Sequence, residues 1–179
     1  PNSMPFCMVG AAMLWVGWFG FNAGSNLEAN GDTTLAFINT FIATAAATVA
    51  WAILEGIVRG KASMLGAASG MVCGLVAVTP ACGFIGPMGA IALGAVASAL
   101  CYFFVAVVKP AVGYDDSLDV FGIHGIGGIV GAVGTGILTS AALGGIGYGE
   151  GVTMASQTWV QILSVLVTIA WSGIGSLIL

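Results

Sequence analysis

Six stretches of nearly pure apolar sequence divide this chain, and its few charged residues gather at or near their borders. A helix needs roughly 20 apolar residues to cross about 30 Å of hydrocarbon. The stretches run over about 4–22, 33–58, 62–79, 85–108, 117–138 and 158–179, and each is read as one membrane-spanning helix. Strands of a membrane barrel would alternate apolar and polar residues over roughly 10 positions, and these runs do not alternate. The expectation is an all-α integral membrane protein, a polytopic bundle of six transmembrane helices forming one domain over residues 1–179.

Charge supports the same solvent. Of 179 residues, 6% are charged, with Lys+Arg 3 against Asp+Glu 7, whereas a water-soluble domain carries about 25%. No basic stripe exists to neutralise phosphates, which excludes nucleic acid as a partner. The high apolar content excludes disorder. Cys7, Cys73, Cys82 and Cys101 lack the paired short spacing of a metal site, so no metal is expected, and they read as small buried hydrophobes.

The three cations also orient the chain. Arg59 and Lys61 separate the second and third runs, and Lys109 separates the fourth and fifth. Six spans place these two connections on one side, which the positive-inside rule makes cytoplasmic. The first span then runs outward and the sixth ends in the cytoplasm. The chain opens at Pro1 without a leader pattern and stops within an apolar run, so it reads as an internal piece of a larger protein.

Close packing in lipid relies on small residues that let backbones approach. Gly66, Gly70 and Gly74 recur at spacing four, as do Ala90, Gly94 and Ser98. The fifth run carries two such stripes, Gly127, Gly131, Thr135 and Gly128, Ala132, Gly136. All are expected to be helix contact faces.

Residues that a bilayer disfavours are the candidates for function. Asp116 and Asp119 have the spacing of a carboxylate cap and an acidic third position at the start of the fifth helix. Glu55 can pair with Arg59 at spacing four. His124, the one histidine, then falls about 12 Å into the fifth span at 1.5 Å per residue. Glycines surround it, so its imidazole, able both to donate and to accept, can line a route for a small polar solute or relay a proton. In the first span Trp18, Phe21, Asn22 and Ser25 recur at spacings of three and four, which predicts one shared face at the outer surface. That face suits either an interfacial aromatic belt or a small cation held by rings and a hydroxyl oxygen.

The strings Trp15-Val16-Gly17-Trp18-Phe19-Gly20-Phe21-Asn22-Ala23-Gly24-Ser25, Val78-Thr79-Pro80-Ala81-Cys82-Gly83 and Asp119-Val120-Phe121-Gly122-Ile123-His124-Gly125 resemble the ammonium transporter (Amt/Mep/Rh) family, on its Amt branch. The likeness runs along the whole chain and corresponds to about the sixth to eleventh spans of an eleven-helix inverted repeat. It implies a cell-membrane transporter or channel for ammonium uptake, with no cofactor and no enzymatic activity. Phe21 would be one of two stacked gate rings, Ser25 part of the external ammonium site, Trp18 a pore residue below the gate, and His124 the second of a histidine pair. Methylammonium would act as an analogue. A homotrimer and, through a cytoplasmic tail, a PII-type signalling partner are also implied. The competing expectations are an ammonium sensor and a purely structural multi-span subunit.

Overall fold

The computed structural model describes residues 2–179, and every regular element in it is helical. Six helices follow one another: α1 Met4–Asn22, α2 Gly31–Arg59, α3 Met64–Val78, α4 Pro87–Val112, α5 Phe121–Leu138 and α6 Met154–Ile178. The all-helical membrane reading holds. Five of these are long and apolar enough to cross a bilayer, and α3 is the shorter exception.

Local chemistry sets most of the ends. Ser3 caps α1 with Pro5 in its first turn. The Asn30 side-chain Oδ1 accepts from the N–H groups of Asp32 and Thr33 at 3.0 and 3.1 Å, which satisfies donors that an uncapped helix start leaves free. Gly60, at φ +79°, turns the chain out of α2 in a conformation that side chains other than hydrogen resist. Thr153 and Ser156 cap α6 reciprocally. Within α4 the backbone widens to a π-helical stretch at Phe104–Val108, immediately before Lys109-Pro110. Pro110 has no N–H for the preceding turn and its ring crowds the carbonyl four residues back, a recognised cause of such widening.

α2 is the central stave, packed against both α3 and α4, while α6 rests chiefly on α5. The glycine stripes explain how close these approaches are. A Cβ on Gly74 would stand 2.6 Å from the Thr44 Cα, and one on Gly70 2.9 Å from the Thr48 Cα. A Cβ on Gly94 would land on the Ala43 carbonyl, and one on Gly131 on the Ala77 carbonyl. A Cβ on Gly136 would stand 2.7 Å from the Thr158 Cα of α6. Gly128 departs from the packing expectation, because nothing lies within 4 Å of its Cβ direction. Hydroxyls inside the bundle bond back along their own helix, as with Thr44 to the Thr40 carbonyl at 2.7 Å, or across it, as with Ser98 to the Ala47 carbonyl at 2.8 Å.

Two helix ends fall slightly inside the approximate bounds of their runs. The third run was expected to stay helical to residue 79. Helix α3 ends instead at Val78, and the chain turns through Thr79–Gly86 while still inside the protein, with Ala81 and Ile85 fully buried. Irregular backbone at membrane depth requires partners. Asn39 on α2 supplies them, its amide nitrogen donating to the Cys82 and Ile85 carbonyls at 2.8 and 2.7 Å. The fifth run was expected to be helical from residue 117. Helix α5 starts at Phe121 with Val120 as its cap residue, and Asp119 before that has φ +57°. The Asp116 carboxylate does cap the helix, accepting from Val120 and Phe121 at 2.8 and 2.9 Å. Asp119 is not an acidic third position: it pairs with Lys109 at 2.7 Å. At the other end of the chain, α6 begins at Met154, four residues before the expected 158.

Candidate functional site

Helices α1, α3 and α5 leave a cavity of about 870 Å3 between them, lined by Trp18, Phe21, Val76, Thr79, His124 and Gly128 among others. Its walls are almost entirely apolar. Gly10, Gly17 and Gly128 open the space, since each presents no Cβ to it. His124 and Gly128, four residues apart, lie on one face of α5. Gly128 therefore leaves room over the imidazole, and that space is what its place in the sequence stripe serves.

His124 sits in a π-helical turn, Phe121–Gly125, at the head of α5. Such turns recur at functional positions because they shift a side chain off the regular face. Counted from Val120 it is only about one turn into the helix, not two as expected. It is nevertheless level with the middle of the bundle, and its side chain is exposed to the open groove. His124 shares cavity walls with Gly10 and Leu14, near the middle of α1.

Trp18 lies between His124 and Phe21, its ring centroid 6.4 Å from the imidazole and 5.7 Å, edge-on, from the Phe21 ring. Its orientation is held by a contact that the sequence did not reveal. The indole Nε1–H donates to the Thr79 hydroxyl at 2.7 Å, and that hydroxyl donates onward to the Leu75 carbonyl at 2.7 Å. With these two side chains satisfying each other, the imidazole is the polar group left to meet a solute in the cavity.

Phe21 and Thr79 also line a second cavity of about 510 Å3 at the acidic end, together with Ser25, Asn26, Asp32 and Cys82. Phe21 thus stands between an outer vestibule and the apolar groove. Ser25 lies in that vestibule beyond the end of α1, its hydroxyl donating to the Phe21 carbonyl. Asn22 does not share the expected face: it is buried and donates to the Thr40 hydroxyl of α2 at 3.0 Å. Asp32, which sequence reasoning passed over, brings a carboxylate to the vestibule. Its only signal was an acidic residue close after the aromatic segment.

On the far side of His124 a third cavity, of about 430 Å3, leads toward the basic end and is lined by Cys7, Ser69, Ser117 and Asp119 among others. His124 lines both this cavity and the apolar groove, so the three cavities follow in series with Phe21 and His124 at their junctions. Among the described residues no group of three or more His, Cys, Asp or Glu side chains is arranged to hold a metal ion.

A polytopic helical bundle with an apolar groove, an aromatic ring at its outer end and one imidazole at its middle defines a multi-pass membrane protein with a candidate site along that groove. The family model described as Ammonium Transporter Family matches residues 1–179, and the chain belongs to that family. It is 50% identical over 177 residues to an ammonium transporter of Aquifex aeolicus, covering 97% of this chain and 41% of that protein. The crystal structure of Saccharomyces cerevisiae Mep2 superposes with a TM-score of 0.84 at 31% identity, over 96% of this chain and 42% of the other. A structure titled Sensor Amt Protein superposes with a TM-score of 0.89 at 29% identity, over 98% and 43%. The chain therefore spans about two fifths of the length of these relatives. It is a multi-pass protein of the cell membrane.

Proposed function

We propose that this chain forms one wall of an ammonium transport path, with ammonium recruited in the outer vestibule and conducted as ammonia past His124. The observation that carries this is the series of cavities partitioned by Phe21 and His124, in a chain of this family. The Asp32 carboxylate and the aromatic face of Phe21 suit a small cation in the vestibule, at about 0.5 to 2 kcal/mol per cation–aromatic contact. The groove beyond disfavours the charged form, since a charge at bilayer depth costs at least about 2.5 kcal/mol. Loss of a proton at the aromatic boundary removes that cost. The neutral solute then needs only a hydrogen-bonding partner, and the His124 imidazole offers a donor and an acceptor.

Ser25 and Phe21 are assigned to the external site, Trp18 to the wall below it and His124 to the conduit. A homotrimer with one path per subunit, and regulation by a PII-type protein at the basic, cytoplasmic end, belong to the same proposal. The test is methylammonium uptake by proteoliposomes carrying the full-length protein. His124→Ala should change the flux or the discrimination between ammonium and methylammonium. Wild-type behaviour in both would remove His124 from the mechanism.

The likeness to a protein titled as a sensor supports a second reading, in which occupancy of the vestibule alters what the basic end binds. A sensor would signal without net uptake, so growth on limiting ammonium separates the two.

A further inference from the structure

A fourth cavity, of about 330 Å3, lies at the basic end between α2, α3 and α4, away from the apolar groove. Glu55 and Arg59 line it from α2, Ser63 from the α2–α3 connection, Tyr102 and Lys109 from α4, and Asp119 from the head of α5. Trp51 and Tyr102 close its floor edge to face, ring centroids 5.4 Å apart. Neither Phe21, Trp18, Ser25 nor His124 lines this cavity.

Its hydrogen-bonding account is one-sided. The acceptors are already served. Glu55, 4% exposed, accepts from the Ser63 N–H at 2.9 Å and from the Ser63 hydroxyl at 2.9 Å. Asp119 accepts from the Lys109 ammonium at 2.7 Å, and the Asp116 carbonyl from the same ammonium at 2.5 Å. The donors are not exhausted. Arg59 has five N–H groups; among the described residues its salt-bridge partner is Glu55 at 3.6 Å, and 60% of its side chain is exposed. Lys109 retains one ammonium hydrogen beyond its two bonds. The Tyr102 hydroxyl has no partner among the described residues, although the side chain is 7% exposed and its oxygen is shielded. A buried hydroxyl without a partner costs free energy unless something supplies one.

Arg59 and Lys109 are ion-paired with the two carboxylates of the cavity, yet both keep spare N–H donors, and with the unpartnered Tyr102 hydroxyl these call for a compact ligand rich in acceptor oxygens. We propose that this cavity binds a phosphate group, with the remaining N–H groups of Arg59 and Lys109 and the Tyr102 hydroxyl donating to its oxygens. Guanidinium geometry suits a phosphate because two parallel N–H groups meet two oxygens. The group comes either from a free phosphate or from an anionic lipid headgroup at the same membrane surface. Leu65, Ser69 and Asp119 are common to this cavity and to the one leading to His124, so the bound group would sit one side chain away from the conduit.

The test uses the full-length protein purified in detergent, titrated with inorganic phosphate by calorimetry, and in parallel exchanged into phosphatidylcholine with and without phosphatidylglycerol before native mass spectrometry. Arg59→Gln changes an exposed side chain, and Tyr102→Phe removes only the unpartnered oxygen, so both should fold. Saturable phosphate binding that weakens about tenfold or more in Arg59→Gln and severalfold in Tyr102→Phe establishes the site for free phosphate. Selective retention of phosphatidylglycerol, lost in the same variants without phosphate binding, establishes it for the headgroup. Absence of both ligands, or binding unchanged in both variants, overturns the proposal.

Discussion

Replacing Thr79 by Val tests whether the groove depends on a fixed Trp18. The two side chains have nearly the same shape, so packing is kept while the acceptor of the 2.7 Å bond from the indole nitrogen is removed. The partly buried N–H is then left without a partner in apolar surroundings, which costs about 1–3 kcal/mol. Trp18 can recover that only by turning its ring toward another acceptor, away from its position between Phe21 and His124. If the ring has to be in place for conduction, that cost appears as a loss of about 5- to 150-fold in methylammonium flux through proteoliposomes, at about 1.4 kcal/mol per tenfold. Thr79→Ser keeps the acceptor and should transport within about twofold of the parent, because only a methyl group is lost. A monodisperse Thr79→Val protein with parental flux and parental ammonium-to-methylammonium discrimination would refute the role given to this bond.

Three further outcomes follow from the same geometry. His124→Glu puts a carboxylate at the junction of two cavities, and substrate discrimination measured by competition between ammonium and methylammonium should change even where total flux survives. Asp32→Asn removes the carboxylate of the outer vestibule; half-saturation for methylammonium should rise by about two- to fivefold at low ionic strength and less at high salt, as expected for a screened charge, while maximal flux stays near the parental value. Gly131→Val drives a side chain onto the Ala77 carbonyl, whereas Gly128→Ala meets open space. The first should fail to yield folded protein by detergent size exclusion, and the second should fold and narrow the groove over His124, lowering flux.

Much of this arrangement was legible because the bilayer is a severe solvent. Six helices could be read from apolar runs alone, since a spanning segment must satisfy its own backbone, and His124 stood out because imidazoles are rare at such depth. What the sequence hid were partners far along the chain. Pro80 marks the end of helix α3 locally, but no local signal marks Asn39, 43 residues before Cys82, as the residue that receives the turn that follows. Trp18 and Thr79 are 61 residues apart, so a motif search finds each without their bond. The start of α5 was misplaced because Asp119 has the spacing of a third helical residue, yet its pairing with Lys109 and its left-handed backbone put it outside the helix. Asn22 was placed on the aromatic face by its spacing, and its amide turns instead to Thr40 on α2.

The grip of Asn39 on two carbonyls has a consequence for biogenesis. Ribosomes deliver α2 before the turn at Thr79–Gly86, so the amide is already in the membrane when those carbonyls shed their water. The order of synthesis thus matches the order of need, and the turn is never asked to enter lipid before its partner. A rearranged gene that emits the turn ahead of α2 would reverse that order. Its product should stall during insertion and be degraded, even though every contact of the finished structure would still be encoded.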